Sequence, residues 1–530
     1  MKPTNSFVSP ILTDFYQLTM AYAYWKDGRH EEPAVFDLFF RQNPFGKAFT
    51  IFAGLEEVLR FVSDYHFTEE DIAYIKALMP GCEAEFFSWL KRVDCLKIKI
   101  YAVREGSVVF PRLPLIRVEG PLAVAQLLET TMLNLVNYAS LVATNAACFR
   151  LAVGDENKVL LEFGARRAQG PDGAVSASRY SVIGGFNGTS NVLAGKLFGL
   201  TVKGTHAHSY VSSFSGLDDL KTNFIIDPKG QRHDFVSLAL KFRQELGFNH
   251  TNEGELAAFL AYAQAFPEGF LALVDTYDTL NSGVPNFLSV AMALHVIGYK
   301  PIGIRLDSGD LAYLSREARK MFQQFRTQFP VDGFPNLLIV ASNDINEATL
   351  LSLKQQGHEI DVFGIGTHLV TCQTQPALGC VYKLVEVDGK LCIKLSQDMD
   401  KVTLPGRKEV HRLIGSEGTA LLDLMIPAGE APPKSGERIL CRHPFEETKR
   451  VYIIPTNVIS LHQCVWDGRI NVALPSVEEM RRYTLEQLAS MRKDHLRPLN
   501  PTPYKVSVSN RLYEFIHDLW LQEAPIPEIQ

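Results

Sequence analysis

His206 and His208 stand two residues apart, directly after the apolar run Leu200–Val202 and the pair Gly204-Thr205. In extended backbone a spacing of two puts both imidazoles on one face. Imidazole titrates near neutral pH, so the pair offers a base or a nucleophile for group transfer. Gly204 lets a ligand approach the backbone, and Thr205 adds a hydroxyl. Read alone, the stretch is equally compatible with a surface loop carrying two solvated histidines.

Other apolar runs end in chemistry of the same kind. They give Glu162-Phe-Gly-Ala-Arg-Arg167, Val274-Asp-Thr-Tyr-Asp278, Arg305-Leu-Asp-Ser-Gly-Asp310, Ala341-Ser-Asn-Asp344 and Gly364-Ile-Gly-Thr-His368. Arg166 and Arg167 present planar, permanently charged forks matched to phosphate or carboxylate oxygens. Asp275, Asp278, Asp307 and Asp310 could hold Mg²⁺ through one or two carboxylates together with substrate phosphates, or could orient the arginines. Gly364 and Gly366 expose backbone N–H groups and Thr367 adds a hydroxyl, which suits an anionic phosphate. Each feature has a plainer reading: an ion pair for an arginine, a helix N-cap for Asp344, a turn for the paired glycines. Solvated loops do not require such clusters after every strand. The combination describes a site for a multiply phosphorylated substrate and a small anion.

Strands must carry these clusters, and helices must return the chain between them. The runs Val159–Phe163, Leu200–Val202, Phe270–Val274, Pro301–Leu306, Asn336–Val340 and Ile360–Phe363 read as strands, with Asn223–Ile226 as a weaker seventh. Helical patterns intervene at Pro285–Ile297, Leu311–Arg326 and Asn346–Gln356. Strand-then-helix repetition argues for parallel strands covered by helices. About seven such units without a Gly-x-Gly-x-x-Gly turn favour an irregular α/β barrel over an open doubly wound sheet. This barrel is expected over residues 154–378. Residues 1–153 read as an α+β unit, with helices at Asp14–Trp25 and Gly54–Ser63, a strand at Ala34–Phe40, and paired strands over 98–119. A long bridging helix is expected from Leu122 to Val153. Residues 379–530 turn to hairpins, including Val381–Val387 and Lys390–Leu395 around Asp388-Gly389, then helices from Ser476 and over 507–521. The proline-rich final residues are expected to fray.

At 530 residues and 59.3 kDa, the chain exceeds a single core and predicts about two or three domains. Hydrophobic residues make up 46% and charged residues 21%, as in ordinary globular proteins. A formal charge of -6 argues against broad nucleic-acid binding. No apolar run is long enough to span a bilayer, no basic-then-apolar leader is visible, and eight scattered cysteines fit reduced thiols in the cytosol. Cys441, His443, His462 and Cys464 form two Cys/His pairs whose one-residue spacing is not that of structural zinc loops, so no zinc site is expected.

Five stretches together match a known family. They are Leu12-Thr-Asp-Phe-Tyr-Gln-Leu-Thr-Met20, Glu162 through Gly173, Gly204-Thr-His-Ala-His-Ser209, Arg305 through Leu311, and Phe363-Gly-Ile-Gly-Thr367. On these the chain resembles the nicotinate phosphoribosyltransferases along nearly its whole length. The resemblance implies a type II phosphoribosyltransferase barrel, with an α+β domain built from the N-terminal region and part of the C-terminal region. It implies transfer of phosphoribosyl from phosphoribosyl pyrophosphate to nicotinate in NAD biosynthesis. The products are nicotinate mononucleotide and pyrophosphate, with coupling to ATP hydrolysis, Mg²⁺ as cofactor and a homodimer with shared active sites.

By the same resemblance His208 is the histidine that ATP phosphorylates, and Tyr16 and Phe163 sandwich the pyridine ring, Tyr16 arriving from the partner subunit. Thr205 and Arg305 contact nicotinate. Thr367 with Gly364 and Gly366 contacts phosphate. Arg166 and Asp275 fall on catalytic positions, and Asp275 and Asp307 are the metal candidates. The chain departs from the family pattern at His206 and at Ala165. A nicotinamide-using relative would need a carboxylate near the ring, whereas Thr205, Ser209 and Arg305 suit an anionic carboxylate. A catalytically inactive barrel serving as a metabolite sensor would have no use for a phosphorylatable histidine.

Overall fold

A computed structural model describes residues 1–330, 333–394 and 401–523. Three six-stranded sheets dominate it. The sheet that carries the site is parallel throughout, in the order Leu271–Leu273, Gly303–Leu306, Leu338–Ala341, Val362–Ile365, Val159–Glu162, Gly188–Thr189. Most of these short strands read Leu/Ile/Val-rich because helices cover one face and a narrow apolar interior fills the other. Leu161, Leu271, Val340 and Val362 form that interior, with Val159, Phe163 and Ile302 against them.

Two expectations about this sheet need correction. Among the described residues six strands pair in place of about seven, and no closed barrel is seen. Val202 adds only a single parallel bridge to Thr189. Between that bridge and the Leu271–Leu273 strand the ladder stops, and the Leu273 N–H reaches across to His206 Nε2 at 3.4 Å. The run at Asn223–Ile226 lies elsewhere. Phe224–Ile226 pairs with Arg232–Asp234 in a separate antiparallel hairpin, its Phe224 and Ile226 exposed. The Gly188–Thr189 strand was not foreseen, since two residues of glycine and threonine carry no apolar signal.

The first sheet is antiparallel and draws on both ends of the chain: Lys390–Leu391, Cys380–Val387, Pro33–Phe40, Ile116–Pro121, Lys99–Val103, His462–Asp467. The 380–391 hairpin turns at Asp388 and Gly389, both at positive φ (47° and 73°) as a type I′ turn demands; Leu395 lies outside the described residues. Leu122–Val153 is two helices, Leu122–Leu127 and Glu129–Val153, joined at Leu128. The second is buried on nearly every side and ends at Gly154, in the left-handed region with φ 65°. The third sheet runs Arg450–Ile453, Ile439–Arg442, Lys505–Val508, Ala420–Pro427, Lys408–Ile414, Asn457–Ser460. Here Lys505–Val508 is a strand parallel to Ala420–Pro427, and the last helix starts at Asn510 rather than 507. The alternation Lys-Val-Ser-Val has the period of a strand and buries Val508. The frayed tail expected after it lies outside the described residues.

None of the eight cysteines is in a disulfide. Cys441 lies in the Ile439–Arg442 strand of the third sheet with His443 just beyond its end, while His462 and Cys464 lie in a strand of the first. Among the described residues no helix is long and apolar enough to cross a membrane.

Candidate active site

Strand alternation sorts the motif Glu162-Phe163 onto two faces. Glu162 points outward, fully buried, and accepts hydrogen bonds from Ser178 Oγ at 2.8 Å, Thr189 Oγ1 at 2.5 Å and the Gly164 N–H. A carboxylate with three donors anchors the turn that follows. Phe163 points inward, its N–H bonded to Ile365 O at 2.8 Å. Its ring lies on Gly364, where an added Cβ would sit 2.4 Å from Phe163 Cδ2 and Cε2. Gly364 therefore makes room for the aromatic ring. Gly366 leads into the short Thr367–Val370 helix. That turn is pinned from behind by the long helix, through Tyr138 Oη to Val370 O at 2.9 Å and Asn145 Nδ2 to His368 O at 2.9 Å.

The register puts Arg305 on the inner face, level with Val340 and Val362. Its Nη1 donates to Thr205 Oγ1 at 3.0 Å, while its Nε is buried without a partner. Burial lowers its pKa from the ordinary guanidinium value, with the nearby Arg166 adding to that effect and Asp307 and Asp275 opposing it. Arg166 and Arg167 lie exposed in the Ala165–Arg167 turn, and neither has an ion-pair partner among the described residues. Three guanidinium groups thus stand at the carboxyl ends of the strands, with donors to spare for an anion.

His208 begins a short helix, His208–Val211, with its side chain 43% exposed. Its Nδ1 is 3.0 Å from Thr276 Oγ1, and its Nε2 is 3.9 Å from Asp275 Oδ1 and 3.6 Å from Asp307 Oδ2. Asp275 is buried; its Oδ2 accepts the Asp307 N–H at 3.0 Å and Ser308 Oγ at 2.5 Å, and its Oδ1 has no hydrogen-bond partner. Asp307 Oδ1 accepts Ser342 Oγ at 2.6 Å. Each carboxylate is held by one oxygen and offers the other toward His208. Asp278 and Asp310 do not join them. Asp278 caps the Thr279–Gly283 turn through both oxygens, and Asp310 caps the Leu311–Gln328 helix through Oδ1. Asp344 is no helix cap; Asn346 takes that position, and Asp344 Oδ2 lies 3.3 Å from His368 Nε2.

The two histidines turn out to differ in kind. His206 is 8% exposed and packed among the rings of Tyr262, Tyr210 and Phe259, with centroids at 4.7, 5.5 and 6.2 Å. Burial pushes its pKa down to about 4, against a raising hydrogen bond at Ala207 and with Arg305 and His208 lowering it further. It is a neutral wedge closing the gap in the sheet, and no imidazolium partner for His208. Tyr16 is not gathered with the others: it is 47% exposed on the Phe15–Lys26 helix, near Asp14 and Glu129.

Sequence reasoning passed over the residues that hold the site together. Thr276 and Ser308 each sit beside an aspartate in the motifs quoted above, where a hydroxyl adjoining a strand-end carboxylate was the available signal; Ser342, two residues before Asp344, meets Asp307 only in the fold. Glu255 gave none. It is fully buried beneath the loop that follows Val274, accepting from Ser282 Oγ at 2.6 Å and Asn286 Nδ2 at 3.0 Å, and burial pushes its carboxyl up to about 7.

Comparison with known proteins agrees with this arrangement. Residues 11–137 match the model of the nicotinate phosphoribosyltransferase N-terminal domain, 291–416 that of the nicotinate phosphoribosyltransferase family, and 407–516 that of its C-terminal domain. A nicotinate phosphoribosyltransferase from Dictyostelium discoideum is 57% identical over 538 residues, covering 100% of this chain and 91% of the relative. One from Homo sapiens is 44% identical, covering 97% of each. The crystal structure of human nicotinic acid phosphoribosyltransferase superposes with a TM-score of 0.86 at 42% identity, over 96% of this chain and 99% of that one. With the fold, the strand-end motifs and full-length relatives in accord, the chain belongs to the nicotinate phosphoribosyltransferase family.

Proposed function

We propose that this protein transfers phosphoribosyl from phosphoribosyl pyrophosphate to nicotinate, forming nicotinate mononucleotide and pyrophosphate for NAD biosynthesis, and couples the transfer to ATP hydrolysis through His208. The observation that carries the reading is Arg305: a buried cation on the same inner face as Phe163, tied by Thr205 at one nitrogen and unpaired at another. A planar pyridine with a carboxylate answers both, by stacking on Phe163 and charge-assisted bonding to the guanidinium. The pyridine nitrogen then attacks the ribose carbon as the bond to pyrophosphate breaks, and the pyrophosphate leaves with the electron pair. Arg166, exposed and unpaired at the adjoining strand end, is suited to the charge on the departing group.

Asp275 and Asp307 fit a divalent cation, since each has one oxygen held and one turned toward His208, and Asp275 Oδ1 is buried without a partner. Mg²⁺ held by these two carboxylates would take its remaining ligands from substrate phosphates and water. Bound there, the ion would neutralise phosphate charge. In the coupling step, His208 Nε2 attacks the terminal phosphorus of ATP and the bond to ADP breaks. Water later cleaves the P–N bond, returning phosphate and free imidazole. The Thr276 hydroxyl at Nδ1 orients the ring and leaves Nε2 as the open nitrogen.

Tyr16 is read as acting across a homodimer, in the cytosol. In support, Phe7, Ile11, Phe15 and Tyr16 are exposed together near the N-terminus, at 75%, 40%, 54% and 47%. Phe7 and Ile11 line a cavity of about 1000 Å³ that a second copy could enter, while Phe15 and Tyr16 begin the helix that follows. The test is mononucleotide formation from nicotinate with and without ATP. His208→Ala should lose ATP stimulation and acid-labile ³²P labelling but keep slow transfer. Mixing it with Tyr16→Ala under subunit exchange should restore part of the stimulated rate. Undiminished ATP stimulation in His208→Ala would reject the coupling, and no recovery despite exchange would reject the shared site.

A further inference from the structure

The chain carries a net charge of -6, yet one cavity has lysine, arginine and histidine in its lining and no carboxylate. It encloses about 920 Å³ between the Asn43–Ala48 region with Pro111-Arg112 on one side and the third sheet on the other. Lys47, Arg112, His443, Lys449, Arg450 and Lys505 line it, with no aspartate or glutamate. Some of that charge is answered from outside: Lys47 pairs with Glu347 at 2.6 Å and Lys449 with Glu446 at 2.8 Å. Arg450 and Lys505 have no ion-pair partner among the described residues. His443 accepts the Glu446 N–H at Nδ1 at 3.0 Å, with its Nε2 3.7 Å from Glu446 Oε1; burial holds it below the usual imidazole range, Glu446 opposing and Arg112 and Lys449 adding to the effect. The neutral ring therefore keeps its proton on Nε2 as a donor.

The backbone contributes as well. Lys505–Val508 is fully paired with Ala420–Pro427 on one side, but on the other only Val508 bridges to Arg442. The two strands diverge, and the unpaired edge of Lys505–Ser507 faces the opening. Cations converging on a low-dielectric cleft repel one another and concentrate anions. The volume is that of a small-molecule site. None of its lining residues belongs to the strand-end cluster around His208 and Arg305.

We propose that this cavity binds a small phosphorylated anion, with its phosphates between Arg450 and Lys505, separately from the active site. The prolines at 111, 444 and 503 supply an apolar wall against which an organic portion can lie.

The test is amide hydrogen exchange on the full chain with inorganic tripolyphosphate and, in parallel, with a nucleoside triphosphate. Slowed exchange is expected over 443–451 and 505–507. In Arg450→Glu/Lys505→Glu the half-saturating concentration for that protection should rise about tenfold or more, as for lost charged hydrogen bonds. Any protection over 163–173 and 364–367, the strand-end site, should not change, which separates failure here from failure of the proposed catalytic reading. Both replaced side chains are exposed, so the fold should survive. If exchange elsewhere shows otherwise, Arg450→Gln and Lys505→Gln singly should each weaken binding severalfold. Tighter binding of the nucleotide would place its base on the proline wall; equal binding would place the phosphate chain alone. Unaltered exchange over 443–451 and 505–507 with both anions, or protection indifferent to charge reversal, would overturn the proposal.

Discussion

Replacing His206 with glutamine should remove an acid-sensitive joint from the sheet. His206 Nε2 accepts the Leu273 N–H across the gap where the ladder stops, so protonating that nitrogen breaks the bond and sets two N–H groups against each other. Burial holds the folded-state pKa at about 4, against an ordinary value near 6.5. Between those values the unfolded chain binds the extra proton and the folded chain does not, so folding loses stability as pH falls. The contribution is fully present above about 6.5 and gone below about 4, amounting to about 3 kcal/mol, of which about 2 kcal/mol disappears between pH 7 and 5. Glutamine keeps an acceptor without a titrating group. Native-state hydrogen exchange over 205–211 and 271–274, corrected for intrinsic rates, should show the local opening energy of the parent protein falling by that amount. In His206→Gln it should stay level, with acid-labile labelling retained. An equal fall in both proteins would refute the assignment of His206 as a neutral wedge.

Arg305→Lys keeps the charge but gives up the planar fork, and one ammonium cannot hold Thr205 while meeting a carboxylate with the same geometry. Nicotinate binding should weaken by about 1–3 kcal/mol. Titration of nicotinate in steady-state assays checks this, and an unchanged KM would remove the role. Gly364→Ala places a methyl 2.4 Å from two ring carbons of Phe163. The ring must swing away, so a destabilisation of about 1–3 kcal/mol should accompany a rise in nicotinate KM; a normal KM in a folded variant would separate Phe163 from pyridine binding.

Much of this protein is written in short-range pattern. Apolar runs of strand length, each ending in Arg, Asp, His or Gly, announced the parallel sheet and the end at which chemistry sits. Helices expected from periodicity at Leu311–Arg326 and Asn346–Gln356 are present as Leu311–Gln328 and Glu347–Gln356. Spacing could not distinguish two histidines on one face, because the difference between His206 and His208 is burial among rings brought from 210, 259 and 262. It could not sort the four aspartates either. Asp278 and Asp310 look like Asp275 and Asp307 in sequence, and only the fold shows the first pair bound to helix-start amides and the second pair facing an imidazole. The strand at Gly188–Thr189 carries no apolar signal of its own, and the short alternation at Lys505–Val508 becomes a strand through its pairing with Ala420–Pro427. Alternation and apolar runs encode which face of a segment is buried, whereas pairing partners, charge neighbours and pKa values depend on segments tens to hundreds of residues away, and these meet only when the chain has folded.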